Sequence, residues 1–180
     1  MRFPATKGLD LAARRGPFAG TAGHLDAPYA ATPAPVVEAM LDLAGLRRGE
    51  RLLDLGCGDG RIAIAAARRG AAALGVDIDP CRVAEARAAA RSAGLSSQAR
   101  FRRGDLFEAP LASVDVVTLY LLAHVNTWLA PRLRAAARPG TRIVSHAFAM
   151  EGWTPAAIER VGQARLYLWI VPGDRETNPN

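Results

Sequence analysis

Hydrophobic and polar positions follow two different patterns along the chain, one typical of strands and the other of helices. Short apolar runs, bounded by glycine, proline or charged residues, predict buried strands. Seven are predicted, over residues 51–55, 72–77, 98–103, 114–121, 141–148, 157–161 and 165–171. The longest apolar stretch is interrupted by Asp115 and His124 and is shorter than the roughly 18 residues that a membrane-spanning helix needs.

Between these runs, apolar residues recur at the three- and four-residue spacing of helices. Thr32 is predicted to cap a helix that has Pro33 in its first turn and ends near Gly45. Further helices are predicted over residues 61–69, 80–93 and 125–137. Five strand–helix units followed by a hairpin predict an α/β, doubly wound, mostly parallel seven-stranded sheet with helices on both faces, a Rossmann-like fold.

A glycine loop joins the first strand to the helix after it. Asp54 is followed by Gly56, Cys57, Gly58 and Gly60 before a helical pattern begins. A strand, glycine loop and helix in this order indicate a site for a nucleoside-containing cofactor at the carboxyl end of the strand. We expect glycine here because a Cβ would block the ligand and because the sharp turn needs unusual backbone angles. The dinucleotide fingerprint G-x-G-x-x-G is excluded, since Arg61 stands where it needs a third glycine.

Two further carboxylates follow the next two predicted strands. Asp77 lies about 20 residues after the loop, where an acidic residue accepts both hydroxyls of a bound ribose. Ile78 follows it and can pack on the face of an adenine. Asp105, after the third strand, can accept a hydrogen bond from the adenine amino group, with Leu106 as an apolar wall.

Length and composition indicate one globular domain, since 50% of the 180 residues are hydrophobic. We expect this domain to span residues 32–174, with a tail over 175–180. Residues 1–31, rich in Gly, Pro, Ala and Arg, are predicted to be a loosely ordered flap that folds partly over the cofactor site. Cys57 and Cys81 are interpreted as free thiols in a reducing compartment, so a cytoplasmic location is expected.

The formal net charge of +6 and the pI near 10.3 raise the possibility of nucleic acid binding. The basic residues are scattered arginines, with Lys7 as the one lysine, and they form no long run of like charge. We therefore favour solvated arginines at the ends of strands and helices over an RNA-binding track. A basic surface would equally attract acidic proteins.

Together, the glycine loop, Asp77 and Asp105 resemble the class I, seven-stranded S-adenosylmethionine (SAM) methyltransferases. A narrower likeness rests on five segments: PYAATP, DLGCGDGRI, GVDIDP, LYLLAHVN and PGTRIVSHAF. These are similar to the archaeal and mitochondrial protein-lysine methyltransferases, over about residues 29–171. The resemblance implies SAM as cofactor, S-adenosylhomocysteine as product, and protein lysine as acceptor.

The resemblance also assigns roles to single residues. Tyr29 and Thr32 are implied to contact the cofactor, although Ala30-Ala31 replaces the Val-Pro more usual in the family. Asp54 can contact the methionine ammonium directly or through water, or cap the loop backbone, and we favour an indirect contact. Tyr120, after the fourth strand, is expected near both the cofactor and the acceptor.

The acceptor is expected at the carboxyl end of the fourth strand. Tyr120, Asn126 and His146 are the candidate catalytic residues, with Asn126 orienting an amine. A histidine with a purely structural hydrogen bond is an equal reading of His146. No metal site is predicted, because the three histidines share no ligand spacing with the cysteines.

Other acceptors remain open at this point. The Asn/Asp-Pro-Pro-Tyr/Phe segment of many amino-directed DNA, RNA and glutamine methyltransferases is missing after the fourth strand. No added element encloses a small substrate, which favours an open site facing a macromolecule. The alternatives are a small-molecule or RNA methyltransferase, or a non-catalytic SAM-binding module.

Overall fold

A seven-stranded sheet forms the centre of the computed structural model, which describes residues 30–173. The strands are β1 (Arg51–Leu55), β2 (Ala72–Asp77), β3 (Ala99–Arg103), β4 (Val116–Leu119), β5 (Arg142–His146), β6 (Ala157–Val161) and β7 (Ala164–Ile170). Their order is β3-β2-β1-β4-β5-β7-β6. The first five run parallel, and β7 is antiparallel to both β5 and β6. The predicted mixed sheet and hairpin are confirmed.

In the part of the chain that the structure describes, four helices cover the two faces of this sheet. They are α1 (Ala34–Leu43), α2 (Arg61–Arg68), α3 (Pro80–Ser92) and α4 (Ala123–Ala136), and a short 3-10 turn spans Leu106–Glu108. Between residues 30 and 173, no helix combines the length and hydropathy that crossing a membrane requires.

The alternation of side chains along each strand creates two hydrophobic cores. Val36 and Met40 of α1, together with the alanine-rich α2 and part of α3, pack on the face that carries Leu52 and Val116. Leu129 and Leu133 of α4 pack on the opposite face, against Leu53 and Val117 among others. The sheet is therefore buried on both sides, which leaves the ends of its strands as the place for a binding site.

Three predicted details are wrong. The first helix begins at Ala34, with Pro33 as its N-cap residue and no side-chain cap, because the Thr32 side chain is buried in a tertiary contact instead. Only β1, β2 and β4 are followed by a helix; β3 leads to the 3-10 turn and β5 to no helix, so there are not five strand–helix units. Strand β4 ends at Leu119, which leaves Tyr120 and Leu121 in the loop beyond it.

Candidate active site

A cleft opens at the carboxyl ends of β1 to β4. Residues from five segments line it: Ala30–Thr32, the loop between β1 and α2, the turn after β2, the 3-10 turn and the loop after β4. The predicted site residues that line it are Thr32, Asp54, Gly56, Cys57, Gly58, Asp77, Ile78, Asp105, Leu106 and Tyr120. Tyr29 lies outside the described residues. The chain thus brings together side chains separated by up to about 90 positions.

The glycine loop is shaped by neighbouring protein atoms. Gly56 and Gly60 have φ angles of 73° and 82°, in the left-handed region that favours glycine. A Cβ on Gly56 would lie 2.6 Å from the Leu121 side chain, and one on Gly60 would lie 2.6 Å from the Phe101 ring. A Cβ at these two positions would therefore collide with a protein side chain, whereas the sequence predicts a collision with the ligand.

Asp77 connects the glycine loop to the turn after β2. Its Oδ2 accepts a hydrogen bond from the Gly58 N–H at 2.8 Å, and its Oδ1 accepts one from the Asp79 N–H at 2.9 Å. Each carboxylate oxygen has more than one acceptor direction, so these bonds leave capacity for the two hydroxyls of a ribose. Asp77 is therefore placed both to hold the loop and to contact a nucleoside.

Asp54 is a buried carboxyl group with one unpartnered oxygen. Its Oδ1 accepts a hydrogen bond from the Thr118 hydroxyl at 2.7 Å, while its Oδ2 is buried without a described partner. Burial raises the pKa of Asp54 to about 7, an effect that Thr118 opposes and that the nearby Asp77 and Asp59 reinforce. An uncompensated oxygen beside the cleft fits a cationic ligand group, such as the ammonium of SAM.

The pKa of Asp54 leads to a testable dependence of stability on pH. This pKa is raised from 3.8 to about 7 in the folded chain, so the folded state binds the Asp54 proton more tightly than the unfolded state does. The stability that this proton contributes is fully present below pH 3.8 and is lost as the pH rises through about 7. Asp54→Asn retains an acceptor for Thr118 but cannot ionise. Its free energy of unfolding, relative to the unmodified chain, should therefore rise over this range by on the order of a few kcal/mol.

Urea denaturation at a series of pH values, without SAM, measures this difference. A constant offset between Asp54→Asn and the unmodified chain across the whole range would contradict the raised pKa.

The adenine side of the cleft has a polar and an apolar component. Asp105 accepts a hydrogen bond from the Phe107 N–H at 2.8 Å and so caps the 3-10 turn, while remaining exposed. Ile78 is 45% exposed and Leu106 is half-buried, and both side chains line the cleft. Cys57 is buried, which raises the pKa of its thiol and keeps it protonated. An apolar slot next to a free carboxylate suits a flat base with an exocyclic amino group.

On the acceptor side, Tyr120 and His146 form an aromatic pair. Their ring centroids are 4.0 Å apart, and the Tyr120 side lines the cleft. His146 is 6% exposed, and this burial lowers the pKa of its imidazole. Its Nδ1 lies 3.4 Å from the Thr32 hydroxyl. The pair therefore places a neutral imidazole behind the aromatic wall of the cleft at neutral pH.

Asn126 is fully buried behind this pair. Its Nδ2 donates hydrogen bonds to the Ser145 Oγ and to the Phe148 carbonyl, both at 3.0 Å. Ser145 donates to the same carbonyl at 2.7 Å, so both side chains hold the turn in which Ala147 adopts a φ of 67°. The described contacts of Asn126 are thus with the backbone turn that carries His146.

Sequence reasoning overlooked Arg61, which lines the cleft and contacts both Asp59 and Thr32. The one signal available was its place directly after the glycine loop. Across residues 30–173, no group of three His, Cys, Asp or Glu side chains is arranged to hold a metal ion.

Fold and cleft together define a class of enzyme. The chain superimposes with a TM-score of 0.80 on a crystal structure described as an RNA methyltransferase from Salinibacter ruber in complex with S-adenosylhomocysteine. The two are 44% identical, and the match covers 84% of this chain and 99% of that one. The chain is a class I SAM-dependent methyltransferase.

Its family follows from the sequence. Residues 54–157 match the family described as the ANTKMT methyltransferase domain, and the chain belongs to that family. It is 39% identical to a protein-lysine N-methyltransferase of Saccharolobus islandicus, over 80% of this chain and 93% of that protein. It is 35% identical to the adenine nucleotide translocase lysine N-methyltransferase of Mus musculus, over 86% of this chain and 67% of that protein.

Proposed function

We propose that this methyltransferase transfers the methyl group of SAM to lysine side chains of proteins. The observation that carries the proposal is the similarity to the archaeal lysine methyltransferase, which extends over 93% of that protein's length. The similarity therefore includes the acceptor half of the sheet as well as the glycine loop. The mouse relative, similar over 86% of this chain, supports the same acceptor.

When bound, SAM supplies an electrophilic methyl group on a sulfonium centre. The chain supplies the position of that group, which is a major source of rate in displacement reactions. Asp77 and Asp105, which line the cleft, would hold the nucleoside, and Asp54, whose Oδ2 has no described partner, would receive the ammonium. These contacts would fix the ligand from both ends and leave the side near Tyr120 for the acceptor.

A lysine acceptor must lose its proton before it can react. Burial lowers the pKa of His146, so its imidazole is neutral at neutral pH, and it would accept a proton from an amine that reaches past the Tyr120 ring. The ring of Tyr120 lies against this imidazole and lines the cleft, so it supplies a flat, largely apolar wall for an amine. Desolvation at this wall lowers the pKa of an incoming ammonium and favours its neutral form.

RNA is the second candidate acceptor. It is favoured by the description of the Salinibacter ruber structure and by a groove lined by Arg87, Arg91 and Arg100 between α3 and β3. Single-stranded RNA usually also needs an aromatic face on which its bases stack. The aromatic residue that lines this groove, Phe101, is 6% exposed. We therefore place protein ahead of RNA.

Transfer of radiolabelled methyl from SAM to a native cell extract tests the proposal. We expect the label to be sensitive to protease, resistant to ribonuclease, and recovered as methyl-lysine after acid hydrolysis. Asp77→Ala, assayed in parallel, should incorporate little label. Label that ribonuclease removes would overturn the lysine proposal in favour of RNA, and label confined to small molecules would overturn both.

A further inference from the structure

Thr32 is held from two sides before the first helix begins. Its backbone carbonyl accepts a hydrogen bond from Nη1 of Arg61 at 2.9 Å. Its hydroxyl lies 3.4 Å from Nδ1 of His146, at a sequence separation of 114 residues. The residue is 3% exposed, although its neighbours Ala31 and Pro33 are exposed. Thr32 therefore joins the start of α2 to the end of β5.

Arg61 is itself held by the glycine loop. Its Nε donates to Oδ1 of Asp59 at 3.0 Å and its Nη2 donates to Oδ2 at 2.6 Å. A guanidinium held at two donors by one carboxylate has a defined plane, and its remaining nitrogen then points in a fixed direction. That nitrogen is the donor to Thr32, so the position of this segment depends on the glycine loop.

The far end of this series of contacts is the aromatic pair. His146 contacts Thr32 through one ring nitrogen and packs against the Tyr120 ring, with a centroid distance of 4.0 Å and an angle of 33° between the ring planes. A hydrogen bond at one ring nitrogen restricts the rotation of a histidine and so sets the direction of its other nitrogen, and the Thr32 hydroxyl can serve either tautomer because it can donate or accept. Contacts therefore run without a break from Asp59, beside the cofactor cleft, to the wall of the acceptor side.

We propose that Arg61 is a positioning residue that couples the cofactor cleft to the acceptor side. It holds residues 30–33 against the glycine loop and, through Thr32, sets the orientation of His146. The coupling deepens the proposed function, since it rests on an acceptor at the end of β4. A dinucleotide-type loop with glycine at position 61 would lack the guanidinium and so could not make this connection.

Two other roles of Arg61 would produce different results. A direct contact with the carboxylate of SAM would affect cofactor affinity alone. A purely structural role at the first residue of α2 would affect stability alone. The orientation of His146 separates the coupling from both, because neither alternative acts through Thr32.

The test uses the full chain with ¹⁵N-labelled histidine and compares Arg61→Gln, Thr32→Val and the double variant. We expect both single variants to shift the His146 imidazole resonances in two-dimensional ¹H–¹⁵N spectra. The double variant should add little to either, since both changes break the same series of contacts. Calorimetric titration should show SAM binding about tenfold weaker in Arg61→Gln.

Matched controls come from the same elements. Arg69, near the other end of α2, pairs with Glu38 and Asp42 of α1, and Thr141, just before β5, donates to the Val114 carbonyl. Arg69→Gln and Thr141→Val should leave the His146 resonances and SAM affinity unchanged. Weaker SAM binding in Arg61→Gln with unshifted His146 resonances would overturn the coupling. Since neither readout needs an acceptor, failure of lysine transfer would leave this test intact.

Discussion

Asp77→Ala is expected to weaken SAM binding by at least about a hundredfold, which corresponds to roughly 3 kcal/mol. Two losses combine in this variant. The ribose hydroxyls would have no carboxylate to receive them, and the Gly58 and Asp79 N–H groups would lose acceptors that now lie 2.8 and 2.9 Å away. Calorimetric titration with SAM measures the result directly.

Asp115 offers a matched control for this prediction. Its Oδ2 accepts a hydrogen bond from the Arg51 N–H at 2.7 Å, and its other oxygen pairs with Arg138. Asp115 therefore holds backbone in the same manner, but at the amino end of the sheet. Asp115→Ala should lower the melting temperature without changing SAM affinity. Equal affinity of Asp77→Ala and the unmodified chain would refute the assignment of Asp77.

Gly60→Ala is expected to lower the free energy of unfolding by about 2–4 kcal/mol and to abolish SAM binding. The backbone at Gly60 has a φ of 82°, and the added Cβ would lie 2.6 Å from the Phe101 ring and 2.8 Å from the Ala86 side chain. The ring is packed in the core and cannot swing away freely, so the glycine loop itself must move. Denaturant unfolding and SAM titration measure the two effects.

Gly94→Ala separates the effect of backbone strain from that of steric overlap with a neighbouring side chain. Gly94 has a φ of 69°, but a Cβ there would meet no heavy atom within 4 Å. Gly94→Ala should therefore lower the free energy of unfolding through the backbone conformation alone, by about 1 kcal/mol, and leave SAM affinity unchanged. If the two alanine variants were equally stable, the contact with Phe101 would not be what requires glycine at position 60.

Local patterns were sufficient to predict much of the cofactor half of the molecule. The bounds of β1, β2 and β6 agree with the prediction because each is a short run bounded by turn residues. Asp54, Asp77 and Asp105 line one cleft because each lies at or near the carboxyl end of a parallel strand, and these ends meet at one edge. Their positions at the ends of successive strands were enough to predict that these carboxylates lie in one site.

Contacts between distant parts of the chain could not be predicted in this way. Thr32 has the residue type and position of an N-cap, yet its side chain is buried next to His146. No local signal distinguishes a capping threonine from one that makes a tertiary contact. The Nδ2 of Asn126 donates to the turn after β5, a contact that no local pattern indicates, while its Oδ1 has no described partner, and its role in orienting an amine stays a prediction. The partners of Arg61 become visible only when residues 30–33 are placed against α2.

The strand order reverses at β1, which divides the sheet into two sides. The chain extends from β1 to β2 and β3 on one side, then returns to β4 and β5 on the other. The candidate cofactor carboxylates lie at the carboxyl ends of β1, β2 and β3, whereas Tyr120 and His146 lie at those of β4 and β5. The two sides meet where Thr118 donates to Asp54, where Leu121 lies against Gly56, and where Arg61 holds Thr32. Such a layout lets evolution exchange the acceptor while it retains the methyl donor, which is consistent with the different acceptors named for similar proteins.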